Sequence, residues 1–319
     1  MKNKQITWFM LALLGALLSA PNALMLKNAT DSIDPYMVNV LRFGIVAVFC
    51  LPFVYAYRKH IKLTQVKDTL LAGVALAIAV LSFTKAIEMS EASYVSVVVL
   101  LLPVFLVLYS LRIYKEKLSK KSVMGITLAF LGVALIVAIP YIFGTRGMTF
   151  YPEATLVALL DCIFYPFVFI YLRKANQAGM PMIVTIGLSA MVTTLLSFVA
   201  HALWGADQIV FSKTSFYSIV YSAFGVAILA RMLRVWTYER IGVALTSSLT
   251  YLDTFVGIVL PIVFLGETLS PSVWAGGAII LSGVLLVESQ NLKWAHKRLV
   301  KVSAREMKKV KRRLIPIKI

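Results

Sequence analysis

This 319-residue chain is short of charge, and that shortage removes most soluble readings first. Only 14% of residues are charged and 60% are hydrophobic. A soluble domain carries about 25% charge, and a soluble helical core of this composition would leave far too much apolar surface in water. Histidine is scarce: His60, His201 and His296 are scattered near loops and the tail. No HExxH or serine-elbow arrangement is present, which removes the usual metallohydrolase and hydrolase chemistries and leaves no metal set. A phosphate-cradling P-loop is absent too, so ATP is not the energy source. The two cysteines, Cys50 and Cys162, both lie inside apolar runs and read as small buried apolar residues. No cofactor is implied.

What is abundant is apolar sequence in runs of about twenty residues, the length that crosses a hydrocarbon core of about 30 Å. The expected fold is an all-α membrane protein with ten transmembrane helices. The spans run over 6–26, 36–57, 69–87, 92–111, 122–139, 154–172, 181–204, 215–233, 243–265 and 271–287. Helices follow because an open strand would leave backbone unpaired in lipid. The first run follows Lys2 and Lys4 like a leader peptide, but nine further runs come after it, so it reads as a retained span. Pro35, Pro152, Pro181 and Pro271 sit near span starts, where the missing N–H costs nothing.

The formal charge of +18 resembles a nucleic-acid signal, yet its placement points to lipid. Basic residues cluster at alternate loops and in the tail. With the N-terminus inside, 27 Lys and Arg fall on the inner side and 4 on the outer side. That asymmetry makes both termini cytoplasmic, in a cell inner membrane or plasma membrane, with anionic headgroups as partners and no nucleic acid. The basic tail, 288–319, repeats apolar residues at Val300, Ala304, Met307, Val310 and Leu314. It reads either as an amphipathic surface helix or as a partly disordered segment.

A repeat organises the rest. Glu116-Lys117-Leu118-Ser119, Gly125 and Gly132 correspond to Glu267-Thr268-Leu269-Ser270, Gly276 and Gly283, each 151 residues later. The first copy is embedded in Arg112, Lys115, Lys117, Lys120 and Lys121; the second has no Lys or Arg from Ile241 to Asn291. Opposite charge bias places the copies on opposite sides of the membrane, the mark of an inverted repeat built for alternating access. The two five-helix repeats cover 6–139 and 154–287. Glu116 and Glu267 are expected to be structural, capping the helix that follows each. The glycines permit close helix approach, making spans five and ten scaffold or homodimer-contact helices.

These features make the chain similar to the EamA-type transporters of the drug/metabolite transporter superfamily. The resemblance rests on the repeated Glu-Leu-Ser turn and glycine-rich helix, and on Phe83 to Ser96 matching Arg234 to Ser247. Lys27, Pro35, Arg42 and Phe43 also fit the family pattern at the end of helix one and the start of helix two. Thr193 stands where a second Arg-Phe would fall, and Arg231 and Arg234 stand where relatives carry apolar or aromatic residues. The resemblance implies a secondary transporter of small organic metabolites, not an enzyme. Export of amino acids or related solutes fits it best; uptake or exchange of a nucleoside-, nucleotide- or methionine-derived solute and a non-transporting membrane scaffold are the alternatives.

Ionisable groups at membrane depth are functional candidates by default. Asp253, near the middle of span nine, can bind a cation or exchange a proton; alternatively it locks helices by pairing with Arg42. Thr250 and Asp253 can share a lumen, with Gly257 opening space one turn on; Tyr251 lies beside them. Asp161, with Tyr165 one turn away, has similar logic in span six. Arg231 and Arg234, three apart, either attract an anion at the cytoplasmic mouth or snorkel to headgroups. Trp236 is expected to line the inward vestibule.

Overall fold

The computed structural model describes residues 2–105, 108–109, 120–143, 151–207, 209–241 and 243–286. Glu116 and the basic tail lie outside the described residues, as does the Tyr251 side chain. The described chain is helical; its only β-type pairing is an isolated bridge between Ile33 and Ile209. Among the described residues, seven helices are long and apolar enough to cross a membrane: α1 (Thr7–Thr30), α2 (Pro35–His60), α3 (Leu63–Glu88), α5 (Lys120–Ile139), α6 (Pro152–Gln177), α7 (Met182–Trp204) and α8 (Lys213–Arg234). Shorter described apolar stretches form α4 (Ala92–Phe105) and α10 (Pro271–Leu286). The remaining helix, α9, runs over Val243–Leu265.

Local chemistry sets the helix ends. Asp34 precedes Pro35 and accepts from the N–H groups of Tyr36 (3.0 Å) and Met37 (2.9 Å), capping α2. The same carboxylate accepts from Ala206 N at 3.1 Å and pairs with His201 Nδ1 at 2.9 Å, tying the α1–α2 turn to the end of α7. Pro21 interrupts α1, which is helical over Lys2–Ser19 and again over Asn22–Thr30. Pro166, in contrast, sits inside a continuous α6. The eighth helix departs from the expected 215–233 span: Ser222–Ala230 is π-helical, and helix continues over Arg231–Ile241. That continuation keeps Arg234 within the bundle, where the sequence placed it at a helix end.

The helices pack mainly across the two sequence halves. The α3 helix lies along α6, α2 along α7, α1 along the end of α8, and α4 against α9. Exposed apolar residues such as Val48 (72%) and Leu195 (63%) cover the outside, as hydrocarbon requires. Between α5 and α10 the approach is at backbone distance. A Cβ on Gly132 would stand 2.7 Å from the Gly276 carbonyl oxygen, and one on Gly283 would stand 2.5 Å from that of Gly125. The glycine faces expected as scaffold or dimer contacts therefore meet each other within one chain. The contact also exchanges with itself under the 151-residue offset: Gly132 meets Gly276 and Ile280, and Gly283 meets Gly125 and Ala129.

Glu267 caps a helix, but not the one that follows it. Gly266, at φ +68°, ends α9 with a left-handed turn that glycine adopts without a Cβ penalty. Glu267 then reaches the start of α4. Its Oε1 accepts from Ala92 N (2.9 Å), and its Oε2 from Ser93 N (2.8 Å) and Ser93 Oγ (2.5 Å). The start of α10 is left to Ser270, whose carbonyl accepts from Val273 N and Trp274 N. A carboxylate on free N–H groups at a helix N-terminus is favourable in either place. Here it also fastens the α9–α10 turn to the first half. Glu91 and Lys27 stand close by; Lys27 Nζ donates to the carbonyls of Ile87 (3.2 Å) and Ser90 (2.8 Å).

Candidate functional site

The charged residues singled out in the sequence form one completed network and a set of open groups. The network joins α1, α8 and α9. Arg234 Nη2 donates to Asp253 Oδ2 at 2.7 Å and to Ser19 Oγ at 2.8 Å. Ser19 Oγ donates to the same Asp253 oxygen at 2.6 Å and lies 3.2 Å from the Ala16 carbonyl. Both charged side chains are 15% exposed. Burial weakens screening and makes both attraction and desolvation large. Tyr221 flanks the network: it lies within electrostatic reach of Asp253, and its hydroxyl donates to Leu18 O at 2.8 Å.

Asp253 is therefore paired as the locking alternative required, but by a different partner. Arg234 holds it, not Arg42. The continued α8 helix turns Arg234 toward α9, so it neither snorkels nor waits at a mouth for an anion. Gly257 does not open space beside Asp253, because a Cβ there would lie 3.3 Å from the Ala20 carbonyl oxygen; α1 approaches closely at that point. Trp236 is 47% exposed and makes no hydrogen bond to the network among the described residues.

Arg42 stands apart. It is 4% exposed on α2, and its Nε donates to the Ser222 carbonyl at 3.3 Å, where the π-helical stretch begins. Arg231 and Tyr165 are the ionisable groups within its electrostatic reach. Asp161 is 5% exposed on α6 and has no hydrogen bond or ion pair among the described residues, Tyr165 included. Tyr165 packs edge-on to Phe169, ring centroids 5.2 Å apart.

Sequence reasoning missed Ser19, Tyr221 and Ser222. Ser19 lies in the leader-like first run. The available signal was a hydroxyl at mid-span depth, which needs a partner where water is absent. The π-helix carries no local sequence signature, although such insertions collect at functional sites.

Apolar helices packed across two sequence halves, with charged side chains buried among them, describe a polytopic membrane protein. The chain belongs to the EamA-like transporter family, whose model matches residues 6–138 and 153–289. It is 26% identical over 293 residues to a probable amino-acid metabolite efflux pump of Salmonella typhimurium, covering 86% of this chain and 93% of that protein. Similarity to an uncharacterized transporter of Archaeoglobus fulgidus is 21% over 261 residues, covering 82% and 79%. A solved crystal structure with 19% identity covers 88% of this chain and 96% of its own, at a TM-score of 0.58, and supports the fold alone.

Proposed function

We propose that the protein exports amino acids or closely related metabolites by alternating access, as a secondary transporter. In this reading ten helices cross the membrane as two inverted five-helix repeats, 6–139 and 154–287. The tail, 288–319, and the N-terminus face the cytoplasm. The 27-to-4 split of basic residues supports the orientation. The α5–α10 glycine contact, which maps onto itself under the repeat offset, supports the inverted arrangement.

The observation that carries the transport reading is the Ser19–Arg234–Asp253 network. It links the first half to the second. By the 151-residue offset Arg234 and Asp253 correspond to Phe83 and Leu102, so the pair is not a packing feature that both halves need. An ion pair of this kind can be opened by a proton on the carboxylate, freeing α1 from α8 and α9. Driving energy is then a proton gradient, coupled at Asp253.

Metabolite profiles of cells with and without the protein should identify exported amino-acid-related compounds. Flux of the strongest hits is then measured in proteoliposomes under inward and outward pH gradients. Asp253→Asn is expected to abolish gradient-driven flux while leaving some solute exchange. Unchanged gradient-driven flux in a well-folded Asp253→Asn protein removes Asp253 from coupling. No amino-acid-related flux in the unmodified protein refutes the substrate class.

A further inference from the structure

The α2 and α7 helices come from different halves, yet they are fastened to each other at both ends. At one end Asp34 holds His201 Nδ1 at 2.9 Å and Ala206 N at 3.1 Å. The two side chains of that pair are 4% and 17% exposed, so water competes little for it. Beside it the turn before α2 pairs with the chain after α7. Val210 N donates to the Ser32 carbonyl at 2.9 Å, and Ile33 bridges Ile209. A Cβ on Gly205 would collide with the His201 ring, so glycine lets the chain fold back onto the Asp34 turn. At the other end the Tyr57 hydroxyl donates to the Gly179 carbonyl at 3.3 Å, and Gln65 Nε2 to the Ala178 carbonyl at 2.7 Å. Val54, Tyr57 and Ile61 pack there against buried Ala175, Met180 and Val184.

Between the ends the two helices stay close. A Cβ on Gly187 would stand 2.6 Å from Cys50 Cβ and 3.0 Å from Val54 Cγ2, and one on Gly44 would reach Thr194 Cγ2 at 3.8 Å. All these contacts share one antiparallel register, and that register maps onto itself under the 151-residue offset. Gly44–Thr194 exchanges with Phe43–Leu195, its immediate neighbour. Cys50–Gly187 exchanges with Tyr36–His201, beside the Asp34 tie. Ile33–Ile209 exchanges with Arg58–Val184, beside Tyr57 at the opposite tie. The α1–α8 contact does not map onto itself; it exchanges with α3–α6. It is held in its middle, by Tyr221 on the Leu18 carbonyl and by the Ser19–Arg234–Asp253 network.

We infer that α2 and α7 form a fixed spine on the repeat axis, tied at both ends throughout the cycle, and that α1 and α8 shift against each other beside it. The inference rests on the alternating-access reading. In that reading the inward-open and outward-open states differ by an exchange of conformation between the two repeats. A contact that maps onto itself is then the same in both states, and only contacts that map elsewhere can differ. Parting α2 from α7 at either face would also strip partners from buried polar groups, Asp34 at one end and the Ala178 carbonyl at the other. The α1–α8 contact has a release that the spine lacks, since a proton on Asp253 loosens its central pair.

The test links the helices by thiol chemistry in the full-length protein, with Cys50→Ala and Cys162→Ala removing the native thiols. Ile33→Cys with Ile209→Cys closes a disulfide across the bridge, where facing residues lie within disulfide reach. Tyr57→Cys with Ala178→Cys, joined by a short bifunctional methanethiosulfonate, closes the other end. Gly15→Cys with Leu233→Cys links α1 to α8, where a Cβ on Gly15 would stand 3.1 Å from Leu233 Cβ. Amino-acid flux in proteoliposomes should persist with either α2–α7 link and with both. The α1–α8 link should abolish it, and reductant should restore it. Flux lost on linking either end of α2 to α7, and recovered on reduction, overturns the spine. Flux that persists under the α1–α8 link overturns the assignment of the moving contact. Hydrogen exchange supplies a readout that needs no solute. Between the unmodified protein and Asp253→Asn at one pH, peptides carrying Ala206 and Val210 should exchange alike, and those carrying Ser19 faster in the variant. Faster exchange at Ala206 and Val210 overturns the spine. Absence of flux for every amino acid before any link is made refutes the exporter reading and leaves the spine to be decided by exchange.

Discussion

The Asp253–Arg234 pair makes a quantitative demand on stability. Removing one member of a buried pair strands the other charge, typically costing about 3–5 kcal/mol, whereas removing both costs much less. Asp253→Ala takes the carboxylate from Arg234 Nη2 and leaves a neutral hydroxyl, that of Ser19 at 2.8 Å, in its place. Arg234→Leu leaves Asp253, among the described residues, with only the Ser19 O–H at 2.6 Å. Each single variant should therefore be destabilised by at least about 3 kcal/mol. The double variant should be more stable than either, which makes the coupling at least about 3 kcal/mol. Unfolding midpoints in one detergent, followed by tryptophan fluorescence over the complete four-protein cycle, measure this directly. Ser19→Ala provides a smaller step of about 1 kcal/mol, because it removes a neutral hydroxyl from an intact pair. Strictly additive single variants would refute the pairing. So would an Arg42→Leu variant that couples to Asp253→Ala more strongly than Arg234→Leu does, since that would restore the partner expected from sequence.

Two further outcomes follow from the packing. Gly132→Ala and Gly283→Ala should each lower the unfolding midpoint, by about 1–3 kcal/mol of overpacking, despite the roughly 1 kcal/mol that alanine contributes to helix propensity. The new methyl groups meet backbone carbonyl oxygens of the facing helix at 2.7 and 2.5 Å, which cannot rotate aside; a neutral or stabilising effect would refute the close α5–α10 contact. Glu91, in the α3–α4 turn, is pushed above its ordinary value of 4.5 by burial first and by the Glu267 charge second, against the pull of Lys27. A folded state that holds its proton longer loses stability as pH rises from the ordinary value through the raised one. Glu91→Gln should thus be more stable than the unmodified protein at pH 7.5, with the advantage disappearing near pH 4; a less stable variant at pH 7.5 would mean that Lys27 wins.

The span pattern was legible because hydrocarbon imposes it on composition. Nearly every expected span coincides with an observed helix, and α2, α7 and α9 agree closely with the expected ranges. Prolines were less informative: Pro21 breaks α1, while Pro166 sits within continuous α6, and the neighbouring helices decide which occurs. Glu267 was recognised as a cap, but its target was not. Local sequence shows that a carboxylate precedes a helix; it does not show that a left-handed glycine will turn that carboxylate onto a different one. Asp253 was recognised as significant from depth alone. Its partner was missed because α8 was ended at Leu233, one residue before Arg234. A π-helical insertion changes the facing of every residue after it, and hydropathy does not register that change.

The repeat separates residues that build the bundle from residues that use it. Where the halves agree, at Gly125 with Gly276, Gly132 with Gly283 and Ala129 with Ile280, the contact is close packing, and the same chemistry serves both sides. Where they disagree, the uncharged copy shows what packing alone would need. Thr193 answers Arg42 with a hydroxyl and an equal 3.3 Å reach to a carbonyl; Phe83 and Leu102 answer Arg234 and Asp253 with hydrocarbon. The excess at each disagreement is charge, which membrane burial penalises most. A repeat that only had to be stable would have no use for those charges. Under the proposed alternating-access reading, these charges lie on α2, α8 and α9 at contacts between the halves, where the helices would have to move relative to one another.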